Sequence, residues 1–180
     1  MKIKQVKFSE LKKYNEIEML KQYQSIRKYK NINDYEIINV DDTSLDFAKE
    51  ESMDLWSEIM NHDSCRIFVI EKNGAWIGGT VIVTNSPKVN MLKGDMDNAV
   101  LWDIRVDSKY QNQGYGKLLF NKAIKYAREM GCKRMLIETQ NNNPNAIAFY
   151  EKQGATLLEI NFKHYPDCPN EDQLIFIIDL

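Results

Sequence analysis

The sequence predicts an α/β fold: a mixed β-sheet with an antiparallel N-terminal hairpin, a central parallel βαβ unit and C-terminal antiparallel strands, flanked by helices. Three stretches carry that expectation. Residues 66–71 and 75–84 are β-branched and aromatic runs joined through Asn73-Gly74, the signal of a type I′ hairpin. Residues 100–106 form a short apolar run that passes through a polar turn into a helix-spaced stripe, Leu118, Leu119, Ala123, Tyr126, Ala127 and Met130. Residues 133–139 then return as a buried strand, and a strand–helix–strand connection of this length is parallel and right-handed.

The remaining elements follow along the chain. Val6 and Phe8 share one face of an alternating segment, 3–8, which predicts a first strand. Ser9 can cap a helix, and the spacing of Ile17, Leu20, Tyr23 and Ile26 predicts helix over 11–29. A second helix is expected over 45–61, where Thr43 and Asp46 stand at capping-box spacing before Leu45, Ala48, Leu55, Trp56, Ile59 and Met60. Gly78-Gly79 predicts a bulge or bend inside the second hairpin strand. Gly131-Cys132 stops the central helix, Pro144 starts another that runs to Gly154, and strands over 155–162 and 174–178 close the sheet around a two-proline loop.

Composition narrows the function classes. A chain of 180 residues is one domain's worth, so 1–180 is expected to be a single domain. With 24 Lys and Arg against 26 Asp and Glu there is no basic field to hold nucleic acid. Cys65, Cys132 and Cys168 lack metal-ligand spacing and read as free thiols of a reducing compartment, so no metal is expected. The N-terminus lacks the apolar core of a signal peptide and no run approaches a membrane span, which predicts a cytoplasmic protein without a membrane partner. Charge is uneven: residues 1–30 are basic, whereas 31–63 are acidic with Lys49 their only Lys or Arg. That acidic stretch is either a wall that attracts a cationic substrate or a solvated face.

The turn after the central strand holds the most informative motif. Gly114 and Gly116 remove side chains where the backbone enters the helix, so the amides from Gln113 through Tyr115 and Gly116 to Lys117 point as orphan donors from the positive end of a helix dipole. Such a site takes an anion. A dinucleotide fingerprint would need a third glycine where Leu119 stands, and a Walker A loop would need Ser or Thr where Leu118 stands. What fits is Gln-x-x-Gly-x-Gly, from Gln111 through Asn112 to Gly116. This segment resembles the acetyl-CoA motif of the GNAT N-acetyltransferases. A second element lies downstream: Asn143, Ala146, Tyr150, Glu151, Lys152 and Gly154 match the family's Asn-x-x-Ala-x-x-x-Tyr-Glu-Lys-x-Gly pattern, departing only at Ala155, where an aromatic is usual. The likeness spans about residues 66–180. Within the family, 101–107, 138–141 and the Tyr165-Pro and Glu171–Leu174 words are most similar to streptothricin acetyltransferases.

The resemblance implies acetyl-CoA as cosubstrate, its pyrophosphate on the amides of the Gln111–Lys117 loop. Its pantetheine arm would pair with the backbone around Ile104, Arg105 and Val106, as an extended ligand adds to an open strand edge. The family opens that edge with a bulge, expected here at Asp103 or Arg105. Asn143 would hold the pantetheine or the turn beside it. Transfer to an amine needs a base for the ammonium proton, a donor for the oxyanion and an acid for the leaving thiolate. Tyr150, whose phenol carries one donor, is the expected acid, and a backbone amide near Ile104 the oxyanion donor. Glu138 and Asp103 are the candidate bases, each with a satisfied structural carboxylate as the alternative. Gln140 and Asn141 are further pocket candidates; His62 and His164 read as surface residues. The expected partner is a small cationic amine of the streptothricin type, with a homodimer left open. A protein or peptide amine is the alternative acceptor, and a non-catalytic acyl-CoA sensor the alternative class.

Overall fold

A computed structural model describes residues 2–46, 48 and 53–180. Contacts divide the chain into two compact units: Met1–Leu20, Asp46–Met135 and Leu180 form the first, and Lys21–Leu45 with Leu136–Asp179 the second. Among the described residues there are seven sheet strands, a separate two-stranded ribbon and four α-helices, a mixed α/β fold.

In the first unit β1 (Lys2–Val6), β4 (Cys65–Lys72), β5 (Ala75–Thr84) and β6 (Asn98–Val106) lie side by side in that order, each antiparallel to its neighbour. The β4–β5 turn has Asn73 at φ 53° and Gly74 at φ 81°, the two positive values a type I′ turn demands. Helix α3 (Tyr115–Glu129) lays Leu119, Phe120, Ala123 and Ala127 on this sheet, all buried, as its stripe predicts.

Two bulges shape the site strand and its neighbour. Ile70 faces Gly78 but Glu71 faces Trp76, so Ile77 is the extra residue of β5, one position before the glycine pair. Val81 faces Asp103 and Ile82 faces Leu101, so β6 bulges at Trp102 rather than at Asp103 or Arg105. The glycines serve close approach instead: a Cβ on Gly79 would collide with the Tyr14 ring, and one on Gly78 would stand 3.0 Å from the Arg105 carbonyl oxygen.

The N-terminal third departs from its sequence expectation. Strand β1 stops at Val6, and Phe8 enters a single 3-10 turn, Phe8–Glu10, that leads into the four-residue helix α1 (Leu11–Tyr14). The predicted helix over 11–29 ends there, because β2 occupies Leu20–Asn31. From Lys21 to Tyr29 the alternate residues Lys21, Tyr23, Ser25, Arg27 and Tyr29 point inward, a period of two hidden from hydropathy because three of the five are polar. Of the helix expected over 45–61, Ala48 and α2 (Met53–Ile59) are helical, while Thr43, Leu45 and Asp46 lie in β3 (Asp34–Asp46); positions 47 and 49–52 of that expectation lie outside the described residues. The Asp46 side chain accepts from the Met19 amide and from the amide of Ala48, a helical residue, both at 3.2 Å.

The second unit holds the β2–β3 ribbon and a sheet in the order β7 (Arg134–Gln140), β9 (Gln173–Asp179), β8 (Thr156–Asn161), with helix α4 (Pro144–Lys152). Strands β8 and β9 are antiparallel, with Leu158 bulged out of β8. Ile137, Ile147, Tyr150, Leu174 and Phe176 are among its buried apolar residues. The ribbon is held to the rest of this unit by a bond from the Arg27 amide to the Asn141 carbonyl, by one from the Asn141 side chain to the Arg27 carbonyl, and by a two-pronged Arg27–Glu151 ion pair at 2.6 and 2.9 Å. Among the described residues no helix is long and apolar enough to cross a membrane, which leaves β-barrels unaddressed.

Candidate active site

In the first unit the anion loop has the form its glycines predict. Gln111 is extended, Asn112 sits at φ 59° and Gly114, the helix N-cap, at φ 85°. Gly114 offers no side-chain cap, and the first helical bond runs from the Leu118 amide to the Gly114 carbonyl, 3.1 Å. The amides of Tyr115, Gly116 and Lys117 therefore have no acceptor within the helix. Residues 111–114 are exposed, and a Cβ built on Gly114 meets nothing within 4 Å, so the space over the helix start is open. Loop side chains hold the frame rather than fill it: the Gln111 amide donates to the Val106 carbonyl at 3.1 Å, and that of Gln113 to the Lys109 carbonyl at 3.1 Å. An uncapped helix start with open space above it suits a diphosphate.

Beneath β6 the charged side chains are already engaged. Oδ2 of Asp103 accepts from the Tyr14 hydroxyl at 2.5 Å and from Nε of Arg105 at 2.7 Å. Both members of that ion pair are buried, at 4% and 0% side-chain exposure. Arg105 also donates to the Asn15 side chain at 3.0 Å, and its guanidinium lies 5.0 Å over the Tyr14 ring. Burial first, then the Asp103 charge, holds the Tyr14 phenol well above its usual range, so it remains a donor. Arg105 thus has only its backbone to offer a ligand, and Asp103 is a paired internal carboxylate. Ile104 and Val106, on the alternate positions, are half-buried.

The second unit carries the other predicted residues. Asn143 caps α4, accepting from the Ala146 amide at 3.3 Å, directly before Pro144 at the first helical position. Tyr150, two residues before the end of that helix, is 7% exposed, with its ring 5.5 Å from Phe149 and 6.2 Å from Phe176. Glu138, near the end of β7, is half-buried and accepts from the Tyr165 hydroxyl at 2.8 Å. Burial and then the Glu138 carboxylate push the Tyr165 phenol far above its usual range.

Around these lies a polar cluster in which Asn141, a pocket candidate from the sequence, is joined by residues to which the sequence assigns no role. Asn142 donates to Glu171 at 2.6 Å and accepts from the ammonium of Lys21, a residue 5% exposed. Asn141 and Asp172 exchange hydrogen bonds of 3.1 and 2.9 Å. Tyr165 and Glu171 stand in sequence words already noted as shared with relatives, but nothing in their spacing says that the loop folds back toward β7. The spacing that predicts helix over 11–29 conceals the inward position that β2 gives Lys21. His62 pairs with its neighbour Asp63 at the surface, and the acidic residues Asp34, Glu36, Asp41 and Asp42 are exposed on β3, with Glu36 held by Lys30 at 2.6 Å.

A model of the acetyltransferase (GNAT) family matches residues 33–155. The ribosomal protein bS18-alanine N-acetyltransferase of Escherichia coli strain K12 is 32% identical over 82 residues, which cover 46% of this chain and 55% of that protein. The chain thus spans about half the length of the curated relatives it matches. Among solved structures, a nourseothricin acetyltransferase superposes with TM-score 0.78 at 18% identity, covering 99% of this chain and 97% of the other, a likeness of fold. A protein described as a streptothricin acetyltransferase from Bacillus anthracis str. Ames, solved in complex with acetyl coenzyme A, gives TM-score 0.75 at 25% identity over 99% of this chain and 98% of its own. From the residue before β3 to the one that follows Gly154, more than half of the sequence conforms to one family pattern, and the chain belongs to the acetyltransferase (GNAT) family.

Proposed function

We propose that the protein is an acetyl-CoA-dependent N-acetyltransferase acting on the primary amine of a small cationic substrate of the streptothricin type. One observation carries this: the uncapped start of α3, opened by Gly114 at φ 85° under a Gln-x-x-Gly-x-Gly motif, offers three free amides where the family holds its coenzyme's diphosphate. Tyr115, Gly116 and Lys117 supply those amides, and Asn112 and Gln113 line the loop. The backbone of Ile104, Arg105 and Val106 would receive the pantetheine amides. When bound, the coenzyme supplies an activated acetyl thioester.

The chain's own groups then divide the proton work. Glu138 accepts a proton from the acceptor's ammonium, directly or through one water, and so exposes the nitrogen lone pair. Asp103 is the weaker candidate, because two donors already converge on the same oxygen of a carboxylate sealed from water. A backbone amide near Ile104 donates to the oxygen that gains charge during attack. Tyr150 returns a proton to the departing sulfur; its buried ring is fixed by Phe149 and Phe176. Asn143 keeps the turn ahead of α4 in shape.

The small cationic acceptor is supported by the likeness to nourseothricin and streptothricin acetyltransferases over nearly the whole chain. A second acceptor, the amine of a protein or peptide, is favoured by the curated relatives that are bS18-alanine N-acetyltransferases. Thiol release from acetyl-CoA, followed with streptothricin, spermidine and an alanine-initiated peptide, separates them. Streptothricin is expected to give the highest kcat/KM. Leadership by the peptide would install the second acceptor, and bound coenzyme without thiol release from any amine would refute the enzyme.

A further inference from the structure

We infer that Tyr165, on the loop joining β8 to β9, is a positioning residue that fixes the Glu138 carboxylate for proton acceptance, and that Asn141 and Asn142 anchor the loop that carries it. This rests on the assignment of Glu138 as base made above. The geometry is specific to a device of that kind. Oε1 of Glu138 takes the phenol at 2.8 Å, while Oε2 receives no hydrogen bond among the described residues. One oxygen is tethered, and its twin is left to take a proton.

The loop is not a loose carrier. Its far end is pinned where β7 gives way to α4: the Asn141 amide donates to the Asp172 carbonyl at 3.1 Å, and the Asp172 amide to the Asn141 side chain at 2.9 Å. Asn142 adds a 2.6 Å bond to Glu171. Within the loop, the Lys163 amide donates to the Asp172 carboxylate at 3.0 Å. Two successive asparagines, both buried, therefore set the height at which Tyr165 meets β7.

The electrostatics keep the tether in its donating form. Burial and the Glu138 carboxylate hold the Tyr165 proton on, and the Glu171 carboxylate adds to the effect, opposed by a hydrogen bond with Gln140. The cluster's other charged groups are the Asp172 carboxylate, which accepts from the Lys163 amide, and Lys21 of β2, held by Asn142 and lying 5.3 Å over the Tyr23 ring. The neutral phenol is thus the donor that meets the Glu138 carboxylate. In the proposed step an R–NH₃⁺ acceptor passes one proton to Oε2, giving R–NH₂ and a carboxylic acid, which then returns that proton to solvent.

The test compares Tyr165→Phe, Glu138→Gln and Glu138→Asp with the parent protein, using whichever amine the parent acetylates fastest, at pH 7 and pH 9. Tyr165→Phe is expected to lower kcat about tenfold at pH 7 with the KM for acetyl-CoA within about twofold, a fraction of the ~10²-fold or more that loss of the base itself costs in Glu138→Gln. Glu138→Asp, which withdraws the carboxylate from the phenol, should show the same sign. All three losses should shrink to about threefold or less at pH 9, where the solution supplies free amine without a base. A loss in Tyr165→Phe that is equal at both pH values, or no loss at all, overturns the role of Tyr165. An unimpaired Glu138→Gln, or a parent protein that acetylates no amine, overturns the base assignment and the present inference together.

Discussion

Asp103 offers the sharpest separation between a structural and a chemical carboxylate. Its Oδ2 gathers the Tyr14 hydroxyl at 2.5 Å and the Arg105 guanidinium at 2.7 Å, with the pair sealed at 4% and 0% side-chain exposure. Truncation to alanine leaves a guanidinium inside the protein without its carboxylate and strips a buried phenol of its acceptor. Breaking a buried ion pair by removing one partner costs about 3–5 kcal/mol. At a urea dependence of about 2 kcal/mol per molar, the unfolding midpoint should fall by about 1.5–2.5 M. Asp103→Asn keeps an acceptor oxygen and the shape, so about 1–3 kcal/mol is expected instead. The second half of the experiment is kinetic: at low temperature, where the variants stay folded, kcat per folded molecule should remain within about threefold of the parent, because a base contributes about 10²-fold or more. An Asp103→Ala protein of undiminished stability, or one folded but slowed a hundredfold, would refute the reasoning and restore Asp103 as the base.

Three other perturbations bear on the site and its support. Tyr150→Phe should lower kcat by about 10²-fold while calorimetric affinity for acetyl-CoA stays nearly unchanged; undiminished turnover would remove the phenol from the mechanism. Gly114→Ala meets no steric neighbour, but its φ of 85° costs an L-residue about 1–2 kcal/mol, so acetyl-CoA affinity should drop about tenfold as the helix start relaxes, with normal affinity in calorimetry the contrary result. Burial pushes the Cys65 thiol up to about 12 from 9.0, so the unfolded chain releases that proton first and stability falls as pH rises from 9 toward 12, by up to about 1.4 kcal/mol per pH unit. Denaturant titrations should show a shallower decline between pH 9 and 10 in Cys65→Ala, before the raised phenols of Tyr14 and Tyr165 add their own; an identical slope would show the thiol to be solvated.

What the sequence determined by itself is everything whose signal is local. Asn73-Gly74 compels a turn with two positive φ values whatever surrounds it, and Gly114 with Gly116 shapes a helix start whose amides face outward. Pro144 after Asn143 starts a helix for reasons contained in three residues, and the stripe from Leu119 to Ala127 declares which face of α3 is buried. Only the tertiary structure could decide what depends on a distant partner. Residues 20–31 alternate as a strand, yet their inward face is built from Lys21, Ser25 and Arg27, residues that hydropathy assigns to water until Asn142 and Glu151 are there to receive them. Two carboxylates looked equivalent as bases in the sequence; folding spends Asp103 on Tyr14, 89 positions away, and gives Glu138 a single phenol from 27 positions downstream. A carboxylate's chemistry is set by the donors that reach its oxygens, and those donors arrive through chain folding rather than through neighbouring residues.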